Sequence, residues 1–253
     1  GADLIPECFA NIALFAKKKS GKTSVIFKLL RACAGKKTTI VAFVSTLHKD
    51  QNWIAMQKYF TERGVPFVGY TSLTEDGEDH LQKLITSLQM KEEEPEDKDV
   101  PKRQKVILAD DDDEDEKKTE RKSKYQEPDF IFVFDDLSTE LKSKTLTSLM
   151  KKNRHFRVKI IVSTQYLNDL LPEARKQIDT MILFKSLPLQ KLEAAYQDTD
   201  LSIPFDIFVK MYKYATAEKY NFFYIDVRDE EFRKNFDKQL IPKSEEEEGD
   251  ESP

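Results

Sequence analysis

The chain has 253 residues, enough for one large domain or two small ones, and 39% of them are hydrophobic. Charged side chains make up 34%, so part of the chain is expected to stay solvated outside any core. No run approaches the ~20 apolar residues that cross a bilayer, and the first residues lack the basic and apolar regions of a secretion signal. An intracellular protein, neither secreted nor membrane-embedded, is therefore expected. Cys8 and Cys33 have neither disulfide-framework nor metal-site spacing, and the three histidines do not make a zinc site. The net charge of −5 is unevenly spread: residues 91–127 hold 15 acidic and 10 basic side chains, and residues 243–253 hold 6 and 1. The remaining body carries about +5, which suits a polyanionic partner.

Strands and helices alternate along the first third. Ile12 to Phe15 reads as a buried strand, followed by a loop and a helix from Thr23 to Cys33. Thr38 to Val44 is β-rich, Asn52 to Arg63 is a helix closed by Gly64, and Pro66 to Tyr70 is a short strand. Glu78 to Met90 places Leu81, Leu84, Ile85 and Leu88 on one helical face. From Lys91 to Glu127 this pattern stops, and a disordered acidic insertion is expected. Five apolar residues, Phe130 to Phe134, then form a central strand ending in Asp135-Asp136. A helix over Ser138 to Lys152 and a strand over Val158 to Val162 come next. They are followed by a strand over Thr180 to Phe184 and helices over Leu189 to Tyr196 and Phe205 to Tyr214. A last strand runs from Asn221 to Val227, before an acidic tail, 243–253, expected to be disordered. The alternation predicts one α/β unit over 1–90 and 128–242, a mostly parallel sheet covered by helices on both faces. The aromatics Tyr212, Tyr214, Phe222, Phe223 and Tyr224 fit core positions better than base-stacking ones.

The segment Ala16-Lys17-Lys18-Lys19-Ser20-Gly21-Lys22-Thr23, with Ser24 after it, lies between a predicted strand and a predicted helix, the context of a P-loop. In such a loop backbone N–H groups and the helix N-terminus cradle phosphates. Gly21 admits close approach of the backbone, Lys22 reaches the β- and γ-phosphates, and the Thr23 hydroxyl ligates Mg²⁺. The departure from the pattern is Ala16, where a first glycine is usual. Asp135, at the end of a buried strand, suits the Mg²⁺ role and Asp136 that of orienting the attacking water. Gln165, after the next strand, is placed to sense the γ-phosphate or the attacking water. No guanine-reading Asn/Thr-Lys-x-Asp segment is present, which favours ATP over GTP.

The run from Asn153-Arg154-His155 through Ile160-Ile161-Val162-Ser163-Thr164-Gln165-Tyr166-Leu167 to Pro172, continuing through Arg175 and Asp179 to Lys185, resembles poxvirus-type genome-packaging ATPases. These occur in large DNA viruses, virophages and Polinton elements, within the FtsK/HerA superfamily. The resemblance covers Ile12–Lys185 without the 91–127 insertion. It implies a RecA-like (ASCE) P-loop NTPase fold and a motor that hydrolyses ATP with Mg²⁺ to thread double-stranded DNA into a capsid. It further implies a pentameric or hexameric homo-oligomeric ring, contact with capsid proteins, and work in the host cytoplasm or nucleus. An arginine supplied to the neighbouring subunit is implied too, with Arg154 and Arg175 both open as candidates. A RecA-like helicase or remodelling ATPase, or a nucleotide-bound scaffold that does not hydrolyse, are the competing readings.

Overall fold

In the strand segments apolar residues occupy successive positions rather than every second one, so both faces of each strand need covering. The computed structural model of the protein describes residues 4–93 and 127–242. The expectations about the rest of the acidic insertion and about the acidic tail lie outside the described residues. In chain order the elements are β1 (Asn11–Phe15), α1 (Lys22–Cys33), β2 (Thr39–Val44), α2 (Gln51–Thr61) and β3 (Phe67–Tyr70). Then come β4 (Thr74–Glu75), β5 (Glu78–Asp79), α3 (His80–Glu93), β6 (Phe130–Asp135), α4 (Lys144–Lys152) and β7 (Val158–Thr164). The last are α5 (Pro172–Arg175), β8 (Thr180–Phe184), α6 (Leu189–Thr199), α7 (Phe205–Ala215), β9 (Phe222–Asp226), β10 (Glu231–Lys234) and β11 (Lys238–Leu240).

Nine strands form one sheet in the order β11-β10-β9-β8-β1-β7-β6-β2-β3. From β3 to β8 the neighbours pair in parallel, and from β8 to β11 they pair antiparallel. Because side chains alternate along a strand, each strand feeds two cores. Ala13, Val41, Phe132, Phe134, Ile160 and Leu183 pack on one face with residues of α3, α4, α6 and α7. Ile12, Leu14, Ile40, Ala42, Val133 and Ile161 pack on the other with residues of α1 and α2. The mostly parallel sheet with helices on both faces is as the alternation predicts.

Three stretches differ from the expectation, each for a local reason. Residues 78–79 are not helical: Asp76 and Gly77, at φ 52° and 80°, turn the chain between β4 and β5, as an Asp-Gly pair favours. Asp79 then accepts from the Gln82 amide at 2.8 Å, so α3 begins at His80 and its backbone runs on to Glu93, past the expected end at Met90. The helix expected over Ser138–Lys152 is broken into a 3-10 turn, Ser138–Leu141, and α4. Ser143 caps α4 by accepting from the Thr145 and Leu146 amides, a bond worth about 1 kcal/mol. The hairpin of β10 and β11 was not expected, since Phe232 is the one buried residue of β10 and its charged neighbours hide the strand pattern.

One lysine is fully buried inside the sheet. Lys159 of β7 is 0% exposed and donates from Nζ to the Glu7 carbonyl at 2.7 Å. Burial pushes its pKa below the usual lysine value, against the pull of the thiols of Cys33 and Cys8 and of Glu7 and Asp179. The charged form therefore costs folding free energy below the folded-state pKa, and the cost disappears as pH rises toward about 10. Lys159→Met is expected to raise the thermal midpoint at pH 7, by about 1 kcal/mol of stability, with the gain shrinking as pH rises. A midpoint that falls and does not depend on pH would contradict this.

Candidate functional site

Where β1 ends, the chain cannot continue in the sheet and turns over its C-terminal edge. Ala16 donates its amide to the Thr164 carbonyl at 3.0 Å, which ties the start of the loop to the end of β7. Ala16 is 1% exposed and its methyl joins the apolar cluster over α1. Its backbone is outside the left-handed region, so a β-carbon is tolerated where a first glycine is usual. Lys17, Lys18 and Lys19 are exposed, and none of them forms an ion pair among the described residues. Lys19 and Gly21 adopt φ 63° and 94°, and Gly21 is the N-cap of α1 without a side-chain cap bond. The Oγ of Ser20 is buried with no hydrogen-bond partner among the described residues. Thr23 and Ser24, in the first turn of α1, face partly to solvent.

Register brings the carboxylates to the same edge. Phe15 pairs with Thr164, and Asp135 with Ser163, so Asp135 stands two strands from β1, roughly 10 Å away. Lys22 spans that gap. Its Nζ lies 2.8 Å from Asp135 Oδ1 and 2.9 Å from Asp136 Oδ1. The Lys22 side chain is 11% exposed, that of Asp135 4% and that of Asp136 33%. Burial alone would depress the Lys22 ammonium, but the Asp135 and Asp136 carboxylates outweigh it and hold its pKa above the ordinary value. Trp53 Nε1 donates to Asp135 Oδ2 at 3.3 Å, and Ser45 Oγ donates to the Asp136 carbonyl at 3.0 Å. Asp136 itself adopts φ 57°, which lets consecutive aspartates both reach one ammonium.

Gln165, directly after β7, is half-buried, and its side chain makes no hydrogen bond among the described residues. The turn behind it is held by Thr164, whose Oγ1 donates to the Asp169 carboxylate and accepts from the Tyr166 amide. Lys22, Thr23, Asp135, Asp136 and Gln165 are thus gathered on one edge. The two arginines are elsewhere. Arg154 precedes β7 at the opposite edge, 54% exposed, with long ion pairs of 4.0 Å to Glu7 and 3.6 Å to Asp179. Arg175 is 16% exposed and is held at 3.2 Å by Asp198 and at 2.9 Å by Asn168. Trp53, Ser45 and Asp169 were not anticipated, since each becomes part of the site through a long-range contact or a turn.

A loop of this form on a parallel sheet in this order defines a RecA-like P-loop NTPase fold. The model of the family described as Poxvirus A32 protein matches residues 80–222, more than half of the chain, and the chain belongs to that family. The match takes in Asp135, Asp136 and Gln165 and begins after the loop. A relative, the uncharacterized protein 075L of Invertebrate iridescent virus 6, is 30% identical over 105 residues, covering 40% of this chain and 40% of that protein. Among solved structures, the genome packaging NTPase B204 from Sulfolobus turreted icosahedral virus 2 in complex with ATP-gammaS aligns with a TM-score of 0.55 and 18% identity. That alignment covers 94% of this chain and 100% of B204. The same protein with AMPPCP aligns with a TM-score of 0.54, 18% identity, and 93% and 98% coverage. These likenesses are of fold.

The buried contact of Lys22 with Asp135 has a stability consequence. Removing one partner of a buried pair leaves the other charge uncompensated, at a cost of about 3 kcal/mol or more, whereas an exposed partner contributes little. Denaturant unfolding is expected to show Lys22→Ala losing about 3 kcal/mol and Asp136→Asn less than about 1 kcal/mol. Equal losses would contradict the assignment of the buried pair to Asp135.

Proposed function

We propose that the protein is an ATP-hydrolysing motor that moves double-stranded DNA, packaging a viral or virus-like genome into a capsid. The observation that carries this reading is the convergence of Lys22 with Asp135 and Asp136 at the end of the loop. The residues present suit a magnesium-bound triphosphate. Gly21 has no side chain where the backbone must approach phosphate, Ser20 brings a buried hydroxyl with no partner among the described residues, and the first turn of α1 carries no acidic residue. Thr23 and Asp135 bring oxygen, the donor that a hard divalent cation prefers. Among the described residues no group of three or more His, Cys, Asp or Glu side chains could hold a metal by itself. The Mg²⁺ would come with the nucleotide and neutralise charge on the transferring phosphoryl group.

In this reading the residues divide the work. The loop amides from Lys17 to Ser24 cradle the phosphates, and Lys22 shifts its ammonium from the carboxylates to the β- and γ-phosphate oxygens. Thr23 and Asp135 would hold the metal, and Trp53 fixes the Asp135 carboxylate. Asp136 accepts the proton of the attacking water, and Gln165, whose side chain makes no hydrogen bond among the described residues, orients it. The DNA partner is supported by the family, by the B204 fold likeness and by the body charge of about +5. Residues 1–90 and 128–242 act as one ATPase unit, in a homo-oligomeric ring working inside the host cell with capsid proteins. No helix among the described residues is long and apolar enough to cross a membrane.

Of the two arginines, Arg154 is the one proposed to reach a neighbour's nucleotide. It is exposed and weakly paired, whereas Arg175 would have to leave two close partners inside its own subunit. ATP turnover by purified protein is expected to rise when double-stranded DNA is added and to vanish in Lys22→Ala. Mixing Arg154→Ala with Lys22→Ala subunits is expected to restore part of the turnover, because one kind of interface keeps both residues. Strand separation would instead indicate a helicase, and nucleotide binding without turnover a scaffold. No rescue from Arg154→Ala, with rescue from Arg175→Ala, would reverse the arginine assignment.

A further inference from the structure

The carboxylates and Gln165 mark only one flank of the loop, that over β6 and β7. On the other flank, over β8 and β9, a cavity of about 210 Å³ opens beside Lys19 and Ser20. Its far walls are two turns, one with Lys185 and Ser186 after β8 and one with Lys219 and Tyr220 before β9. Both turns are firmly held. The buried Tyr212 hydroxyl donates to the Phe184 carbonyl at 2.8 Å and accepts from the Leu187 amide at 3.0 Å. Asn235 accepts from the Phe222 amide and donates to Asn221, each at 3.1 Å. Tyr220 nevertheless keeps a bulky side chain at φ 70°, and the residue is 57% exposed. A tyrosine at positive φ is a strained outlier, and such strain persists where the surrounding structure imposes it. The ring lies against the loop itself: a β-carbon built on Gly21 would sit 3.3 Å from Tyr220 Cδ1. Its hydroxyl has no partner among the described residues, and Lys219 Nζ lies 4.8 Å from the ring centroid.

Resting on the ATP reading above, we propose that this cavity takes the nucleoside end of the nucleotide, with the Tyr220 ring as the platform on which the base stacks. A nucleotide is a linear chain from γ-phosphate to base. With its γ end directed to Asp135, Asp136 and Gln165, the base end belongs on the opposite flank. The cavity is smaller than the ~300–1,000 Å³ of a site for a whole drug-sized ligand, which suits one end of a longer ligand. Its lysines, with no carboxylate in the lining, complement the phosphate next to the ribose. A flat exposed aromatic offers a base the stacking contact that every purine face can make.

The test compares two ligands by titration calorimetry in the presence of Mg²⁺, ATPγS and inorganic tripolyphosphate, the second of which has no base. Tyr220→Ala is expected to weaken ATPγS about tenfold or more and to leave tripolyphosphate within about twofold. Tyr220→Phe is expected to keep both. Equal weakening of both ligands would assign Tyr220 to holding the loop and overturn the proposal, as would unchanged ATPγS affinity. Loss confined to binding of a single-stranded oligonucleotide would overturn it too, transferring the platform to nucleic acid. If the wild-type chain binds neither ligand, the P-loop reading itself fails, a result distinct from failure of the base platform alone.

Discussion

A single ammonium group joins the parts of this site. Lys22 begins α1 on one side of the sheet edge, and Asp135 ends β6 two strands away with Asp136 directly after it, yet both carboxylates lie within 2.9 Å of the ammonium. The contact needs the loop to leave β1 at Ala16, Gly21 to adopt a backbone that other residues resist, and Asp136 to turn left-handed. Burial makes the contact strong enough to matter and also makes it costly to break. A ligand able to draw Lys22 away must therefore supply comparable negative charge at the same place. A polyphosphate, the ligand proposed above, carries such charge.

The sheet supplies the rigidity on which this depends. β1 and β7 are buried along their whole lengths and β6 at every residue after Phe130, and they pair in parallel, so their C-terminal residues fall in register along one edge of the sheet. The stack of Tyr70, Phe43, Phe134 and Phe132, with successive centroids 4.9, 5.2 and 6.3 Å apart, braces the strand that ends in Asp135. Asp135, Thr164 and Gln165 consequently sit at the ends of buried, paired strands. The loops over β8 and β9 are set on the antiparallel half of the sheet, tied by the Tyr212 and Asn235 bonds.

Much of the architecture was legible because hydrophobic runs report burial directly. The strands of the parallel half were placed to within one or two residues at nearly every end, since apolar content on both faces leaves few alternatives. What escaped were elements whose order comes from turns. The β4–β5 hairpin rests on Asp76-Gly77, the split before α4 on the Ser143 cap, and β10 on one buried phenylalanine among charged residues. The site divides in the same way. Lys22, Thr23, Asp135 and Asp136 were proposed from local motifs, and the structure brings Lys22, Asp135 and Asp136 together. Trp53 reaches Asp135 across 82 positions of sequence, and Tyr220 meets Gly21 from almost 200 residues away, distances at which no local pattern speaks. The arginines show a further limit, because exposure and pairing, which separate Arg154 from Arg175, have no sequence signature.

Trp53 is the only tryptophan in the chain, and its indole hydrogen-bonds to the carboxylate assigned to the metal. Its emission is therefore a local probe of the central claim, that the loop and Asp135 share one metal-bound triphosphate. Titrating Mn²⁺, a paramagnetic quencher, in the presence and absence of ATPγS tests it directly. Saturable quenching that requires the nucleotide and is lost in Thr23→Ala is the expected result. Emission indifferent to the metal–nucleotide pair, or equal quenching in wild type and Thr23→Ala, would contradict the account.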